Sequence, residues 1–430
     1  MALPPFFHRG LEGLLRIFFG LILFLWTMSA AAEEPSESAN TLKDLAQKTN
    51  FTGSIRGGYW SSSRTLDDRE NLATTALWLK IAPKLQSNVS LFVEGWITNQ
   101  QLFREYETEE QLREAYLDII LGPMDFRIGK QIIVWGKTDR INPTDNLSPR
   151  DFTLLVPEDD DQRFGTAAAK ATYYFEGLSL TGLWIPHFEP DTIPIHQPTP
   201  PLSLHEEVPE TSFGEWAVKI EQTGRAVDWS LSYFDGFDLF PDIGFTPPAD
   251  LVLEHHRIQV IGADAATTLG RYGLRGEAAY TMTQDSKGDN PFIKNPFFFM
   301  VIGGDRTFIE YLNVNLQYLL RVVVNYQNPE ATGNPVAIEQ AVVNNQLDQI
   351  QQGVTARVNY KWLNETLEGE IAGVLFFPRH DYLIRPKVTY AFTDHWKGTI
   401  GGDLYRGEQR SFFGYLRDNS TAYAELRWSF

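Results

Sequence analysis

The chain has 430 residues, no cysteine and a formal charge of −18. That acidity excludes a nucleic-acid binder, because phosphates would be repelled, and the lack of cysteine excludes a fold held by disulfides. A mean hydropathy of −0.26 excludes a helical membrane protein. It does not exclude a β-barrel, in which only alternate residues meet lipid.

In chain order, Arg9 and Arg16 flank the approach to an apolar run from Ile17 to Trp26, and the small residues Ser29 to Ala32 precede Glu33 and Glu34. This is the layout of a secretory signal peptide over residues 1–32, cleaved near Ala32. The apolar run is shorter than the roughly 17–25 residues of a spanning helix. Export is therefore expected. Residues 33–50 do not alternate and read as a periplasmic arm with one helical turn around Leu42 and Leu45.

From residue 51 to 430 one pattern repeats: about ten alternating residues, then a break. Val354, Ala356, Val358 and Tyr360 alternate with Thr355, Arg357, Asn359 and Lys361. This period of two gives a strand one apolar and one polar face. Along strand after strand, charged or amide residues fill the second face: Arg127 and Gln131, Arg275 and Glu277, Arg321, Arg357 and Lys361, Glu368 and Glu370, Arg385 and Lys387, Asp403, Glu425 and Arg427. In a barrel these line the lumen. They serve as cross-strand ion pairs, as a charged track for polar solutes, or as both.

The breaks alternate in length. Short ones at 83–88, 122–125, 176–177, 223–226, 363–366 and 393–395 suit periplasmic turns. Long ones near 136–165, 189–212, 237–252, 285–297 and 323–350 suit external loops. The expected fold is an all-β, transmembrane antiparallel outer-membrane β-barrel of about 16–18 strands, wide enough for an aqueous channel. Aromatics at 13% suit girdles at two membrane interfaces. Outer-membrane lipid and lipopolysaccharide are the expected surroundings, with a homo-oligomer left open.

The stretch GKQIIVWGKTDRINPTDNLSPRD ends the expected fifth strand, Phe126 to Trp135, and opens the third external loop. Asn142-Pro143 and Ser148-Pro149 stiffen that loop. Arg140, Arg150 and Arg163 stand near Asp139, Asp145 and Asp151, a set that would form a transverse field in a constriction. The run Glu158 to Asp161 reads as part of this set, with Asp159 to Asp161 read alternatively as a solvated tip or as a calcium cage. Against the cage stand the absence of EF-hand spacing and the inability of consecutive acids all to point at one ion. Arg150 and Asp151 read alternatively as a pair holding the loop to the wall, and Trp135 as a girdle or packing residue.

Ile128 to Asp151, with its Gly-Lys-Gln strand, Trp-Gly and Asn-Pro-x-Asp turn, resembles a family of uncharacterised porin-like Gram-negative outer-membrane proteins, and more distantly alginate-export barrels. The resemblance implies a large barrel moving something across the outer membrane. The last strand, TAYAELRWSF, resembles the terminal signal strand of such barrels, which implies recognition by the barrel-assembly machinery through Trp428 and Phe430.

No Ser/His/Asp grouping, metal-ligand spacing or cofactor motif is recognisable, and His255-His256 are neighbours that would point to opposite faces of a strand. The expected function is a non-enzymatic channel for passive diffusion of small hydrophilic solutes, constricted by residues 136–165. An export or lipid-handling barrel with periplasmic partners, and an adhesive barrel, are the alternatives.

Overall fold

A computed structural model of the chain describes residues 46–62, 70–100, 108–195, 201–210 and 213–430. The expected signal peptide and all but the end of the expected arm lie outside these residues. Residues 46–49 form one helical turn.

The strands, in chain order, begin with β1 (Thr52–Ser62), β2 (Glu70–Ile81), β3 (Lys84–Gln86), β4 (Val89–Asn99), β5 (Thr108–Leu121) and β6 (Met124–Gln131). There follow β7 (Thr166–Phe175), β8 (Leu178–Ile185), β9 (Ser203–Glu207), β10 (Glu215–Gln222), β11 (Val227–Phe237), β12 (Asp242–Thr246), β13 (Asp250–Glu254) and β14 (Arg257–Leu269). The last are β15 (Tyr272–Met282), β16 (Phe297–Thr307), β17 (Leu312–Val323), β18 (Ile350–Trp362), β19 (Leu367–Phe376), β20 (Asp381–Ala391), β21 (Trp396–Arg406) and β22 (Thr421–Ser429).

Eighteen of these are staves of one closed antiparallel barrel. Each pairs with its chain neighbours, and β1 closes on β22 in the register Ile55 to Trp428 and Arg56 to Arg427. The exceptions are β3, a three-residue ladder on β4, and a small sheet in the loops. In that sheet β13 pairs antiparallel with β12 and parallel with β9.

Closure removes the unpaired edge that an open sheet would expose. The outward residues then form an apolar belt: Ile55, Leu231, Ile261, Ile302, Leu316, Ile371, Ile400 and Leu426 are all exposed. A belt of this kind far exceeds the apolar patches of water-soluble monomers, and a polar backbone can cross lipid only as a helix or a closed barrel. Aromatics collect beside the short turns. Tyr390 packs edge-on to Phe392 at 4.9 Å and Trp428 lies 5.1 Å from Phe430, as interfacial girdles do.

The turn chemistry follows the sequence. At Glu176-Gly177 both residues have positive φ (46° and 82°), the two-residue hairpin turn whose twist matches the strands. The long connections all emerge at the other end. One contains a helix, Pro335–Val343, with Asn334 capping it by accepting a bond from Val336 N.

The fifth barrel stave stops at Gln131, not at Trp135. Ile132 and Ile133 look like strand residues, but their amides are taken by side chains, Glu114 at 2.7 Å and Ser148 at 2.7 Å. The inner wall also departs from a wholly polar lumen. Ile133, Trp135 and Leu147 pack on inward Ala168, Leu183, Ile185, Phe234 and Val260, so one side of the wall is apolar where the loop rests on it. Trp135 is thus a packing residue inside the barrel and not part of a girdle. His255 and His256 lie between β13 and β14 and not within a strand.

Candidate functional site

The segment from Ile132 to Gly165 runs through the lumen, and its sequence explains how it enters. Gly136 has φ of 101°, and a Cβ there would come within 2.5 Å of the Glu277 carboxylate. Glu277, on β15, is the anchor of this first turn. It accepts bonds from Lys137 N (3.1 Å), from Thr138 Oγ1 (2.9 Å) and from both Thr144 N and Oγ1 (2.7 Å each). A buried carboxylate needs several donors of this kind to offset its lost hydration. Gln317 on β17 clasps the next residue, accepting from Asp139 N at 2.8 Å and donating to Asp139 O at 3.0 Å.

Past this anchor the segment meets the wall through charge. Arg357 on β18 bonds Asp139 at 2.8 Å, and Arg140 bonds Glu370 on β19 at 2.7 Å while lying 3.6 Å from Asp159. Asp159 is bonded by Arg385 on β20, and Glu158 by Lys387 at 2.9 Å. Asp161 pairs with Arg56 on β1 at 2.5 Å, and Arg113 on β5 donates to the carbonyl of Asp160. Lys137 reaches Glu221 on β10 at 2.8 Å, a pairing that holds its ammonium group charged above its ordinary range against the cost of burial. The acidic run forms a short turn, Asp159–Gln162, in which Asp159 and Asp161 reach separate wall cations, Asp160 is exposed and Gln162 donates to the Leu154 carbonyl.

The five loop residues singled out by sequence divide by role. Arg140 joins the charged crossing. Arg163 and Asp145 pair with each other at 2.6 Å, with side chains 4% and 8% exposed, and stiffen the loop from within. Asp151 does not pair with Arg150. Its carboxylate accepts from Thr153 N (2.8 Å) and Thr153 Oγ1 (2.5 Å), and burial pushes its pKa above the ordinary value against those bonds. Arg150 lines a cavity, 3.8 Å from Asp145.

The wall residues also divide. Arg127 makes a two-point bond with Asp118 (2.6 and 3.1 Å) and stacks on Tyr116. Arg275 pairs with Asp305 at 2.5 Å and Arg385 with Asp403 at 2.7 Å. Glu368 accepts from Asn359 at 3.2 Å. Gln131 and Glu277 point inward but do not line open water. They are 0% and 2% exposed, covered by the loop, and Gln131 Nε2 donates to Ala168 O at 3.0 Å. Arg321 lies over the Phe297 ring at 3.9 Å, and Lys361 sits at the turn end of β18, paired with Glu365. Lys130 faces outward at the loop end and reaches Glu189 at 2.6 Å.

Two cavities flank the segment Pro157–Asp159. One, of about 320 Å³ on the long-loop side, is bordered by Arg140, Arg357, Arg385 and Asp159 together with apolar side chains. The other, of about 290 Å³, is bordered by Arg56, Glu158, Glu370, Lys387, Glu425 and Arg427. Sequence reading did not single out Arg56, Arg113 or Glu94. Arg113 bonds Glu94 at 2.5 Å, and both arginines approach the buried Trp96 ring at 5.1 and 5.8 Å. A signal was present: isolated cations on the polar face of β1 and β5, which count as much as those on later strands.

No protein-family model and no curated protein matches the chain. Among solved structures the chain is similar to an engineered variant of the porin of Rh. blastica, at 12% identity and a TM-score of 0.42, over 88% of this chain and 99% of that one. A loop-deletion variant of OmpT, an outer membrane protein of Vibrio cholerae, matches at 9% identity and a TM-score of 0.39, over 88% of this chain and 98% of that one.

Proposed function

We propose that the chain is an exported, porin-like channel of the bacterial outer membrane, passing small hydrophilic solutes by diffusion, with residues 136–165 as its constriction. The observation that carries this reading is the charged crossing. Asp139, Arg140, Glu158, Asp159 and Asp161 each meet an oppositely charged side chain of the wall. Fixed charges of both signs around a narrow passage orient polar solutes and oppose apolar ones, without strong preference for cations or anions.

A lipid-handling barrel would need a continuous apolar path. The inward residues of β19 run Val374, Ala372, Glu370, Glu368, and those of β20 run Leu383, Arg385, Lys387, so an apolar entrance gives way to charge. This favours the channel reading. No catalytic role is proposed.

The test is planar-bilayer recording of the purified full chain. Steady, near-ohmic conductance for both potassium chloride and a bulky organic salt is the expected result; a folded barrel without steady conductance would overturn the reading.

A further inference from the structure

The cavity on the long-loop side has chemistry that a simple water passage does not need. It forms where Phe152 of the inward segment meets residues 193–195, Phe240, the helix Pro335–Val343, Phe412 and the upper inner face of β18 to β20. Its walls are mainly apolar: Phe152 packs edge-on to Phe240 at 6.5 Å, and Ile193, Val342 and Leu383 complete the surface.

Four guanidinium groups border this cavity, and they are not equivalent. Arg140 is bonded by Glu370 at 2.7 Å, Arg357 by Asp139 at 2.8 Å, and Arg385 by Asp403 at 2.7 Å. Arg150 has Asp145 at 3.8 Å, beyond hydrogen-bond distance, and that carboxylate is already bonded by Arg163 at 2.6 Å. Burial and the like charge of Arg163 lower the proton affinity of Arg150, yet an arginine stays charged at neutral pH. Asp145, Asp159 and Asp191 act on its charge from further off. Of the four guanidinium groups, however, it alone has no carboxylate at hydrogen-bond distance among the described residues, and it borders an apolar space.

We propose that this cavity binds a small amphiphilic carboxylate, its apolar body against the surface that Phe152 and Phe240 form together and its carboxylate on Arg150. A guanidinium gives a carboxylate two parallel charge-assisted bonds. A volume of about 320 Å³ is at the low end of small-molecule sites, which fits a body of one aromatic ring and not a diacyl lipid. The inference rests on the channel reading for its purpose, since a site at the entrance would load such solutes ahead of the constriction.

The test is calorimetric titration of 3-phenylpropionate and of 3-phenylpropanol into the full chain in lipid nanodiscs, with empty nanodiscs subtracted. The carboxylate is expected to bind roughly tenfold or more tighter than the alcohol. Arg150→Gln should bring the two within about twofold, and Phe240→Ala should weaken both. Equal affinities in the unaltered protein, or an acid preference that survives Arg150→Gln in a barrel with normal heat-modifiable mobility, would overturn the proposal. Conductance of the same preparation separates this from the channel reading. A conducting barrel that ignores the acid refutes this proposal alone, and a silent barrel that binds it supports this proposal and refutes the channel.

Discussion

Arg385 on the barrel wall and Asp159 on the inward segment are bonded side chain to side chain although 226 positions separate them in the chain. The bond ties the far end of the segment to β20, as Arg56 and Asp161 tie it to β1 at 2.5 Å. These two ties and the Glu277 anchor hold the segment at three points along the wall from β15 round to β1.

The ties predict a change in the open state. Glu158→Gln, Asp159→Asn and Asp161→Asn combined leave Arg385 with Asp403 but remove the charged ties of the loop to Lys387 and Arg385 on β20 and to Arg56 on β1. Single-channel recording is expected to show larger current noise and mean conductance raised by about a third or more, since half-buried pairs of this kind contribute on the order of 1–3 kcal/mol. Traces matching the unaltered protein would mean the ties do not hold the segment.

Glu277 should matter more than either tie. Glu277→Ala removes the acceptor for Lys137 N, Thr138 Oγ1 and both Thr144 donors. Each buried donor left without a partner costs about 1–3 kcal/mol, enough to release the turn while the stave pairing remains. Trypsin should then cut after Lys137 or Arg140 in the folded barrel, at sites it leaves intact in the unaltered protein.

How much of this was legible in the sequence varies with the range of the interaction. Period-two alternation and the spacing of turns carry the barrel and its strand number, because both are local. The end of β6 was not legible, because Ile132 to Trp135 look like a strand and only the side chains of Glu114 and Ser148 divert their amides. The acidic run was ambiguous for a similar reason. Its partners Arg56 and Lys387 lie 105 and 229 positions away, and no local pattern reports a contact at that range. The apolar inner wall was missed because small inward residues such as Ala168 and Ala217 do not announce what will rest on them.

A pH dependence follows from Asp191. Its carboxylate is buried against the inward segment, where it accepts Arg150 N at 2.7 Å, and burial pushes its pKa up to about 7. Because the folded pKa is above the unfolded value of about 3.8, the folded state holds a proton the unfolded state has lost. The protonated contact is fully stabilising below about pH 4 and fades as pH rises through 7. Hydrogen-exchange protection at the paired Phe152 and Thr192 amides, after correction for the intrinsic base-catalysed rate, should therefore fall between about pH 4 and 7, and Asp191→Asn should flatten that slope. A slope unchanged in the variant would assign it to another group.

Barrel closure gives a further test within one strand. A Cβ on Gly53 would lie 2.6 Å from the Phe430 ring and 2.7 Å from Trp78 O, whereas one on Gly57 meets nothing within 4 Å. Gly53→Val is expected to lose roughly half or more of the heat-modifiable, folded form, an overpacking cost of about 1–3 kcal/mol. Gly57→Val should keep it. Equal yields would show that the seam between β1 and the C-terminal strand tolerates bulk.

The central claim, that the inward segment limits the passage, is tested most directly by the single-channel conductance of a barrel lacking Ile141 to Asp161. With folding verified by heat-modifiable mobility, the account predicts a steady open state whose conductance is at least about twice that of the full chain, in line with the wider interior of an eighteen-strand barrel. An unchanged conductance in the folded deletion variant would contradict it.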